Sequence, residues 1–246
     1  MLRNAAALIL LRDTGNGLEV CMLRRVTSSR FAAGAYVFPG GSVDTVDAEL
    51  STKCIANAVQ NEGDKAYKVA AIRETFEEAG ILAAATSEGV VVDHQLREQL
   101  HQGSLSLEAL LLETGLQVDL SALMFYDHWI TPEAAPIRFD TRFYVSAARD
   151  EQDLVHDEKE TDSSCWAKPV DILALYDSND VKLMPVTHVQ LTRLAKFNCV
   201  ADVMAYAEAL EVVKPTMPVM SLVDNGKSKI VTIDLPEGVL KYPIYK

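Results

Sequence analysis

Three glutamates are concentrated in the segment "IRETFEEAG", which covers Ile72 to Gly80. Glu74, Glu77 and Glu78 are spaced i, i+3 and i+4, so a helix would place all three carboxylates on one side. They would repel one another, and the partial negative charge at the end of a helix would add to the repulsion. A divalent cation would turn that repulsion into coordination, and oxygen ligands of this kind suit Mg²⁺ or Mn²⁺. The spacing therefore predicts a metal site that could bind a phosphate-containing substrate.

The alternative is an exposed helix face, because runs of charge are usually solvated. Two neighbouring features favour the metal site. Arg73 precedes Glu77 by four residues, so a salt bridge could fix the orientation of that carboxylate. Upstream, Pro39, Gly40 and Gly41 form a turn-prone sequence where a strand should stop and the backbone can approach another group closely.

Together these residues resemble the Nudix box, the metal-binding signature of hydrolases that cut nucleoside diphosphates linked to another moiety. In that signature a glycine is followed after five residues by an acid. After seven more comes the run Arg-Glu-hydrophobic-any-Glu-Glu-any-Gly-hydrophobic. Gly41 and Asp47 fit the first half, with aspartate where glutamate is usual, and "RETFEEAGI" fits the second, with Thr75 replacing a hydrophobic residue. Here 25 residues separate Asp47 from Arg73, which implies an insertion at about 48–66.

An insertion at this place is similar to the branch of Nudix enzymes that includes the animal peroxisomal coenzyme A diphosphatases. The segments "FPGGSVD" and "WITPEAAPIRFDTRFYV" add to this resemblance, which extends to about Leu175. It implies an α/β fold, a Nudix-type α/β/α sandwich with a mixed sheet, and hydrolysis of a pyrophosphate bond. Coenzyme A or acyl-coenzyme A is the first expected substrate. The chain ends in "YPIYK" and not in Ser-Lys-Leu, so a peroxisomal location is not expected.

Two other functions stay open. Within the same class, the substrate could be ADP-ribose, NADH or a nucleoside triphosphate. In another class, the chain could be a non-catalytic Nudix module that senses a ligand. Intact box glutamates favour an enzyme over a sensor.

The resemblance also implies roles for the residues of the box. Glu77 and Glu78 would be the central metal ligands, and Glu74 would be a ligand or the base that activates water. The carbonyl of Gly41 would supply a further oxygen, and Arg73 would act with Glu74 in catalysis by holding the carboxylates. Bound Mg²⁺ or Mn²⁺ would polarise the pyrophosphate and bind the attacking water.

Family members often add an acid from a loop just before a strand that carries a tryptophan. In "HDEKETDSSCWAKP" the best match is Glu160, expected as a catalytic or metal-binding acid, with Glu158 and Asp162 as neighbours. An exposed acidic loop is an equal alternative.

Arginines could bind the phosphates of the substrate. Arg138 and Arg142 alternate with apolar residues on a predicted strand, so they share a face beside Tyr144. The alternative is an exposed strand on which Asp140 pairs with them. The same two interpretations apply to three arginines near the start of the box, Arg24, Arg25 and Arg30. Trp129 could stack on an adenine, although a lone aromatic residue is more often in the core.

The elements that must position these residues follow from periodicity. Residues 4–26 predict a buried β-hairpin with its turn at 13–17. Helical composition predicts one helix over 47–60 and a second over 64–79, separated at 61–63 and ended by Gly80. Shorter helices follow, then strands, then a strand and a helix that begins near Pro169.

The composition limits the class of protein. With 246 residues the chain can bury a sizeable core, and its net charge of −12 argues against a nucleic-acid partner. The four cysteines form no paired motif, which favours a reducing cytoplasm, and no segment is long enough to span a membrane.

Two regions are predicted. Residues 1–180 should form the Nudix hydrolase domain, and residues 181–246 a C-terminal extension of helices and an extended tail with one strand at 229–235. This extension should pack on the same domain and could cover a partner subunit in a homodimer.

Overall fold

A computed structural model describes residues 1–29, 31–58, 61–87, 93–149, 152–223 and 228–244. Its strands are β1 (Leu2–Thr14), β2 (Gly17–Arg25), β3 (Ala35–Val37), β4 (Gly40–Ser42), β5 (Ile55–Asn57), β6 (Val118–Asp119), β7 (Met124–Ile130), β8 (Arg138–Ala147), β9 (Thr161–Ala167), β10 (Lys182–Leu183), β11 (Val219–Val223), β12 (Ser228–Leu235) and β13 (Gly238–Ile244). Its α-helices are α1 (Thr45–Ala48), α2 (Glu62–Ala79), α3 (His94–His101), α4 (Leu107–Thr114), α5 (Pro169–Asp177), α6 (Pro185–Leu194) and α7 (Val200–Glu208).

Strand β1 lies at the centre of an eight-stranded mixed sheet with the order β10-β3-β2-β1-β8-β7. It pairs in antiparallel fashion with β2, as the hairpin prediction requires, and parallel to β8. Its apolar run, residues 5–11, is buried on both faces, which is typical of a strand between two layers. Strand β4 also pairs with β1, and β9 pairs with β2.

Each face of the sheet is covered by helices. On one face, Ala6, Leu8 and Leu10 pack against α2, α3 and α4 in a core that includes Ile72 and Phe76. On the other face, the alternate residues of β1 pack against α5, α6, α7 and β12. The predicted α/β/α sandwich with a mixed sheet is therefore confirmed.

The C-terminal part of the chain contributes to this second core. Strand β10 extends the main sheet by pairing with β3. Val189, Val203 and Ile233 are buried in the core on the second face of that sheet. The division into residues 1–180 and 181–246, with the second part packed on the same domain, stays a prediction.

The helix expected over 47–60 is wrong. Only a single turn, α1, forms at its start, followed by a 3-10 helix at Thr52–Cys54 and by β5. The Ser51 side chain accepts a hydrogen bond from the Lys53 amide, an arrangement that competes with helix propagation. Ile55 then pairs with Val118, a contact that local composition does not reveal. Residues 59 and 60 lie outside the described residues.

The C-terminal tail was also predicted wrongly, because it contains three strands rather than one. β11, β12 and β13 form an antiparallel sheet of their own with β12 in the middle. Pro243 lies in β13, an edge strand, where a missing amide is tolerated. Within the described residues, no helix is both long and apolar enough to cross a membrane.

Candidate metal and active site

Helix α2 presents the glutamate cluster at its C-terminal end. The side chain of Asn61 caps its first turn, and Val69, Ile72 and Phe76 are all at most 1% exposed, which confirms the predicted apolar stripe. Gly80 ends the helix in the left-handed conformation, at φ 75°, as predicted. The helix is buried on several sides, because Glu77 and Glu78 are themselves only 9% and 3% exposed. The carboxylates are therefore not on a solvated face.

Arg73 connects these carboxylates to the rest of the site. Its Nη1 donates to Glu74 Oε1 at 3.0 Å and to Glu77 Oε1 at 3.3 Å. Its Nη2 donates to the carbonyl oxygen of Ser42 at 2.9 Å. The salt bridge expected between Arg73 and Glu77 is present, and the guanidinium also holds the neighbouring carboxylate in place.

Asp47 accepts the remaining bonds of this guanidinium. Arg73 Nε and Nη2 reach its two carboxylate oxygens at 2.9 and 3.1 Å, a bidentate contact. Asp47 is 2% exposed, and it also accepts the amide of Asp44 at the start of α1. The two halves of the motif are therefore in direct contact, although 25 residues separate Asp47 from Arg73 in the chain.

The two glycines before this turn lie directly against the glutamates. The amide of Gly40 donates to Glu78 Oε2 at 2.9 Å. A Cβ at Gly41 would stand 2.5 Å from the Glu74 carboxylate carbon, so only glycine leaves room for that side chain. The preceding strand, β3, stops at Val37 as predicted, and Gly40, Gly41 and Ser42 then form a separate strand, β4, that pairs with β1. The predicted close approach to the backbone is observed.

Glu160 lies at the edge of the cluster, in a loop before β9. Its Oε2 accepts from Arg25 Nη2 at 3.3 Å, and Arg25 Nη1 lies 4.0 Å from Glu78 Oε1. The Glu160 side chain is 53% exposed, whereas that of Glu78 is 4% exposed. Arg25 thus bridges the loop acid and the helix acid. The neighbouring Asp162 pairs with Arg24 instead.

Burial raises the pKa of all three helix glutamates. For Glu74, burial and the charge of Glu77 outweigh the effect of Arg73 and bring the pKa to about 7. The pKa of Glu77 is raised mainly by burial, and that of Glu78 by burial and by the charge of Glu74. Burial thus disfavours the ionised form of these glutamates when no cation is bound. A hard divalent cation would stabilise the ionised carboxylates and bind to their oxygens. Among the described residues, however, no three such side chains already converge in a metal-binding arrangement.

Comparison with known proteins places the chain in a family. A sequence model of the NUDT19 Nudix domain matches residues 50–194, which is more than half of the chain. The chain belongs to this Nudix family. A crystal structure of a Nudix hydrolase from Alicyclobacillus acidocaldarius is 30% identical in sequence, with a TM-score of 0.74, over 83% of this chain and 96% of that one. The predicted membership is therefore confirmed.

Several named relatives are similar to most of the chain. The acyl-coenzyme A diphosphatase NUDT19 of Xenopus laevis is 24% identical over 85% of this chain and 68% of that protein. The human protein of the same name is 24% identical over 85% of this chain and 70% of that protein. Nudix hydrolase 7 of Caenorhabditis elegans is 29% identical over 79% of this chain. The matched part spans 61% of that worm protein, less than two thirds of its length.

Most residues predicted to bind substrate make structural contacts away from the Nudix glutamates. Arg142 pairs with Asp64 at the start of α2 and lies 3.9 Å from the centre of the Tyr67 ring. Arg138 donates to the carbonyl of Thr131 at 3.1 Å. Tyr144 is fully buried, so the prediction that it lies on an open face beside the arginines is wrong. Helix α2 covers that face.

Two other candidates are also accounted for. Trp129 is 5% exposed in the second core, where its Nε1 donates to Asp127 at 2.6 Å, so the core interpretation is confirmed. Arg30 lies outside the described residues.

Sequence reasoning missed two residues of α3 that contact α2, the helix that carries the box glutamates and is called the Nudix helix below. Arg97 donates twice to the carbonyl oxygen of Glu77, and the ring of His101 faces the side chain of the same residue. Neither residue has a ligand-like spacing, and both are at least 20 residues from Glu77 in the chain. Their proximity is a property of the packing of α3 and carried no signal in the sequence.

Alanine substitutions at Gly40 and Gly41 should have different consequences. In Gly41→Ala the new methyl group meets only the flexible Glu74 side chain, so we expect a folded protein with a displaced carboxylate and a large loss of activity. In Gly40→Ala it meets backbone atoms, with Ala7 Cα at 2.6 Å, at a φ of 155° that alanine rarely adopts. Urea unfolding should show the larger loss of stability for Gly40→Ala, and equal losses would contradict the geometry.

The stability of the metal-free protein should depend on pH through Glu74. Its pKa is raised from 4.5 to about 7 on folding, so the folded state binds the proton more tightly. This contribution is present below pH 4.5 and is lost as the pH rises through 7. A cation that binds the ionised form would offset the loss. We therefore expect Mg²⁺ to raise the melting temperature more at pH 8 than at pH 5.5, as measured by calorimetry against metal-free buffer with EDTA. Equal shifts would contradict this.

Proposed function

We propose that the protein is a metal-dependent hydrolase that cleaves the pyrophosphate bond of a substrate linked to a nucleoside diphosphate. The observation that carries the proposal is the buried guanidinium of Arg73, which holds Asp47, Glu74 and Glu77 together across the insertion. This arrangement brings three carboxylates from two distant parts of the chain to one end of helix α2. Membership in the NUDT19 Nudix family supports the same function.

The chain's own residues would prepare the site for an anionic substrate. We propose Glu74, Glu77 and Glu78, the Gly41 carbonyl and Glu160 as the groups that hold Mg²⁺ or Mn²⁺. When bound, these ions supply Lewis-acid activation of the pyrophosphate and offset the charge of the leaving phosphate.

Among these groups, Glu74 is the candidate base. Its raised pKa suits a carboxylate that takes a proton from water near neutral pH. Arg73 fixes its Oε1, and Gly41 leaves the space that the carboxylate occupies. Arg73 is thus a positioning residue.

Coenzyme A or an acyl-coenzyme A is the proposed substrate. The support is the family and the names of the relatives from Xenopus laevis and human, which are acyl-coenzyme A diphosphatases. Among the described residues, Arg25 forms salt bridges with both Glu78 and Glu160, and its side chain is 19% exposed. It is better placed than Arg138 or Arg142 to contact a phosphate at the glutamates.

A hydrolysis screen tests the function. The purified protein would be incubated with coenzyme A, acetyl-coenzyme A, ADP-ribose, NADH and ATP, each with Mg²⁺, Mn²⁺ or EDTA, and the products separated by chromatography. We expect metal-dependent cleavage of coenzyme A or its acyl derivative into two phosphomonoesters, and its loss in Glu77→Gln and Glu78→Gln. If the variants match the wild type, the site assignment is wrong.

A different result would favour the sensing module. If the wild-type protein binds a nucleotide in calorimetry but cleaves none with either metal, the enzyme proposal fails. Cleavage of ADP-ribose, NADH or ATP alone would keep the enzyme and change only the substrate.

We also propose that the protein is located in the cytoplasm and that it forms a homodimer. The location is supported by the cysteines, since none of the four forms a disulfide in the described part of the chain. Fractionation of cells that express the full-length protein would test the location, and light scattering would test the dimer.

A further inference from the structure

Helix α3 holds the end of the Nudix helix from outside the box. Arg97 Nε and Nη2 donate to the carbonyl oxygen of Glu77 at 3.0 and 2.9 Å. Arg97 is 6% exposed, so these are buried, charge-assisted bonds to a carbonyl that the helix itself leaves without a partner. Because α3 is fixed against Glu77 at this point, the residue one turn later on α3 is brought to the side chain of Glu77.

That residue is His101, whose ring lies between two carboxylates. Its Nδ1 is 4.0 Å from Glu77 Oε2, and its Nε2 is 3.6 Å from Asp157 Oδ2. Nδ1 is buried and has no hydrogen-bond partner among the described residues. Buried polar atoms are rarely left unpaired, and a shift of about 1 Å would bring Glu77 within hydrogen-bond distance.

Asp157 belongs to the loop that carries Glu160. It accepts the amides of Glu160 and Thr161 at 3.0 and 2.8 Å and the Thr161 hydroxyl at 2.6 Å, so it fixes the local shape of this loop. The same loop is attached to the end of α2, because the Val155 amide donates to the carbonyl of Ala79 at 3.0 Å. The His101 side chain therefore faces both Glu77 on α2 and Asp157, the residue that fixes the loop carrying Glu160.

We propose that His101 is a positioning residue that fixes the Glu77 carboxylate relative to the loop carrying Glu160. The inference rests on the proposed function, because it assigns His101 a role in the same site. It differs from a purely structural role, in which the ring would only fill space between α3 and the loop. Outer groups that orient a metal ligand typically change metal affinity or activity by about 10- to 100-fold when removed.

The test uses two variants of His101 and one control. His101→Leu removes both ring nitrogens, and His101→Gln keeps a polar group that can reach one carboxylate. Glu98→Gln is the control, because Glu98 lies on the same helix and pairs with Lys159 of the same loop at 3.7 Å, but at an exposed site. Mn²⁺ binding would be measured by electron paramagnetic resonance, and kcat and KM with the substrate found in the screen.

We expect His101→Leu to weaken Mn²⁺ binding and lower kcat by about 10-fold or more, with KM changed less than about twofold. His101→Gln should recover part of the loss, and Glu98→Gln should match the wild type. Unchanged Mn²⁺ affinity and kcat in His101→Leu would overturn the proposal, whatever its melting temperature. If His101→Leu fails to fold, His101→Phe decides by the same criterion, because it fills the space of the ring but has no polar atom, and wild-type binding and kcat in it would overturn the proposal.

The two proposals can fail separately. If the wild-type protein cleaves no substrate but His101→Leu still weakens Mn²⁺ binding, the enzymatic function fails and the positioning role stands. If the wild-type protein binds no Mn²⁺, both are overturned.

Discussion

Replacing Arg73 by methionine should lower the free energy of unfolding by about 3–5 kcal/mol and abolish hydrolysis. The size of the effect follows from burial, because removal of one partner from a buried ion pair leaves the other charge uncompensated. The Arg73 side chain is 9% exposed and that of Asp47 is 1% exposed. Two further carboxylates, Glu74 and Glu77, would lose the same cation. Urea unfolding and the coenzyme A assay measure the two effects.

Two further variants test the reason for this effect. Adding Asp47→Asn to Arg73→Met removes one of the uncompensated charges, so part of the lost stability should return without any return of activity. Arg24→Gln is the matched control, because the Arg24–Asp162 pair is exposed and should contribute less than about 1 kcal/mol. If Arg73→Met is no more destabilising than Arg24→Gln, then Arg73 does not organise the site.

Local patterns predicted the parts of the site that lie close together in the chain. The i, i+3, i+4 spacing of the glutamates, the Val69 to Phe76 stripe and the terminal Gly80 all follow from helix geometry, and α2 has each of them. The glycine pair was also recognisable, because close approach of a backbone needs a residue without a Cβ. The β1–β2 hairpin was predicted correctly because both strands and the turn between them are close together in the chain.

Contacts between distant segments could not be predicted in this way. The motif predicted that Asp47 belongs to the site. Its bidentate bond to Arg73, however, depends on how the inserted residues fold, and the helix expected over 47–60 is not formed. Arg97 reaches Glu77 only because α3 packs across the end of α2. The C-terminal strands depend on one another for pairing, so composition showed only the middle one.

Replacing Glu78 by glutamine should stabilise the metal-free protein while lowering kcat by about 100-fold or more. Glutamine keeps an oxygen that can accept the Gly40 amide, which now donates to Glu78 Oε2 at 2.9 Å. It removes a charge that burial and the neighbouring Glu74 disfavour, as the raised pKa of Glu78 indicates. It also removes a proposed metal ligand, whose contribution to the transition state is several kcal/mol. Function and stability would thus oppose each other at this residue.

The pH dependence distinguishes this explanation from a general packing effect. Because the pKa of Glu78 is raised on folding, the wild type loses stability as the pH rises above the ordinary glutamate value towards the raised one. Glutamine does not titrate, so the advantage of Glu78→Gln should be large at pH 8 and small at pH 5. Added Mg²⁺ should remove the advantage, since it would stabilise the wild type and not the variant. Calorimetry at both pH values, with and without Mg²⁺, measures these differences.

The matched control is Glu113→Gln, an exposed glutamate near the end of α4. Its substitution should change neither the melting temperature nor kcat appreciably, because an exposed carboxylate has no desolvation penalty to relieve. A pH-independent gain in Glu78→Gln would show that the charge of Glu78 is not what limits stability. A Glu78→Gln variant with wild-type kcat would remove Glu78 from the metal site and leave Glu74 and Glu77 as the remaining candidates from the Nudix helix.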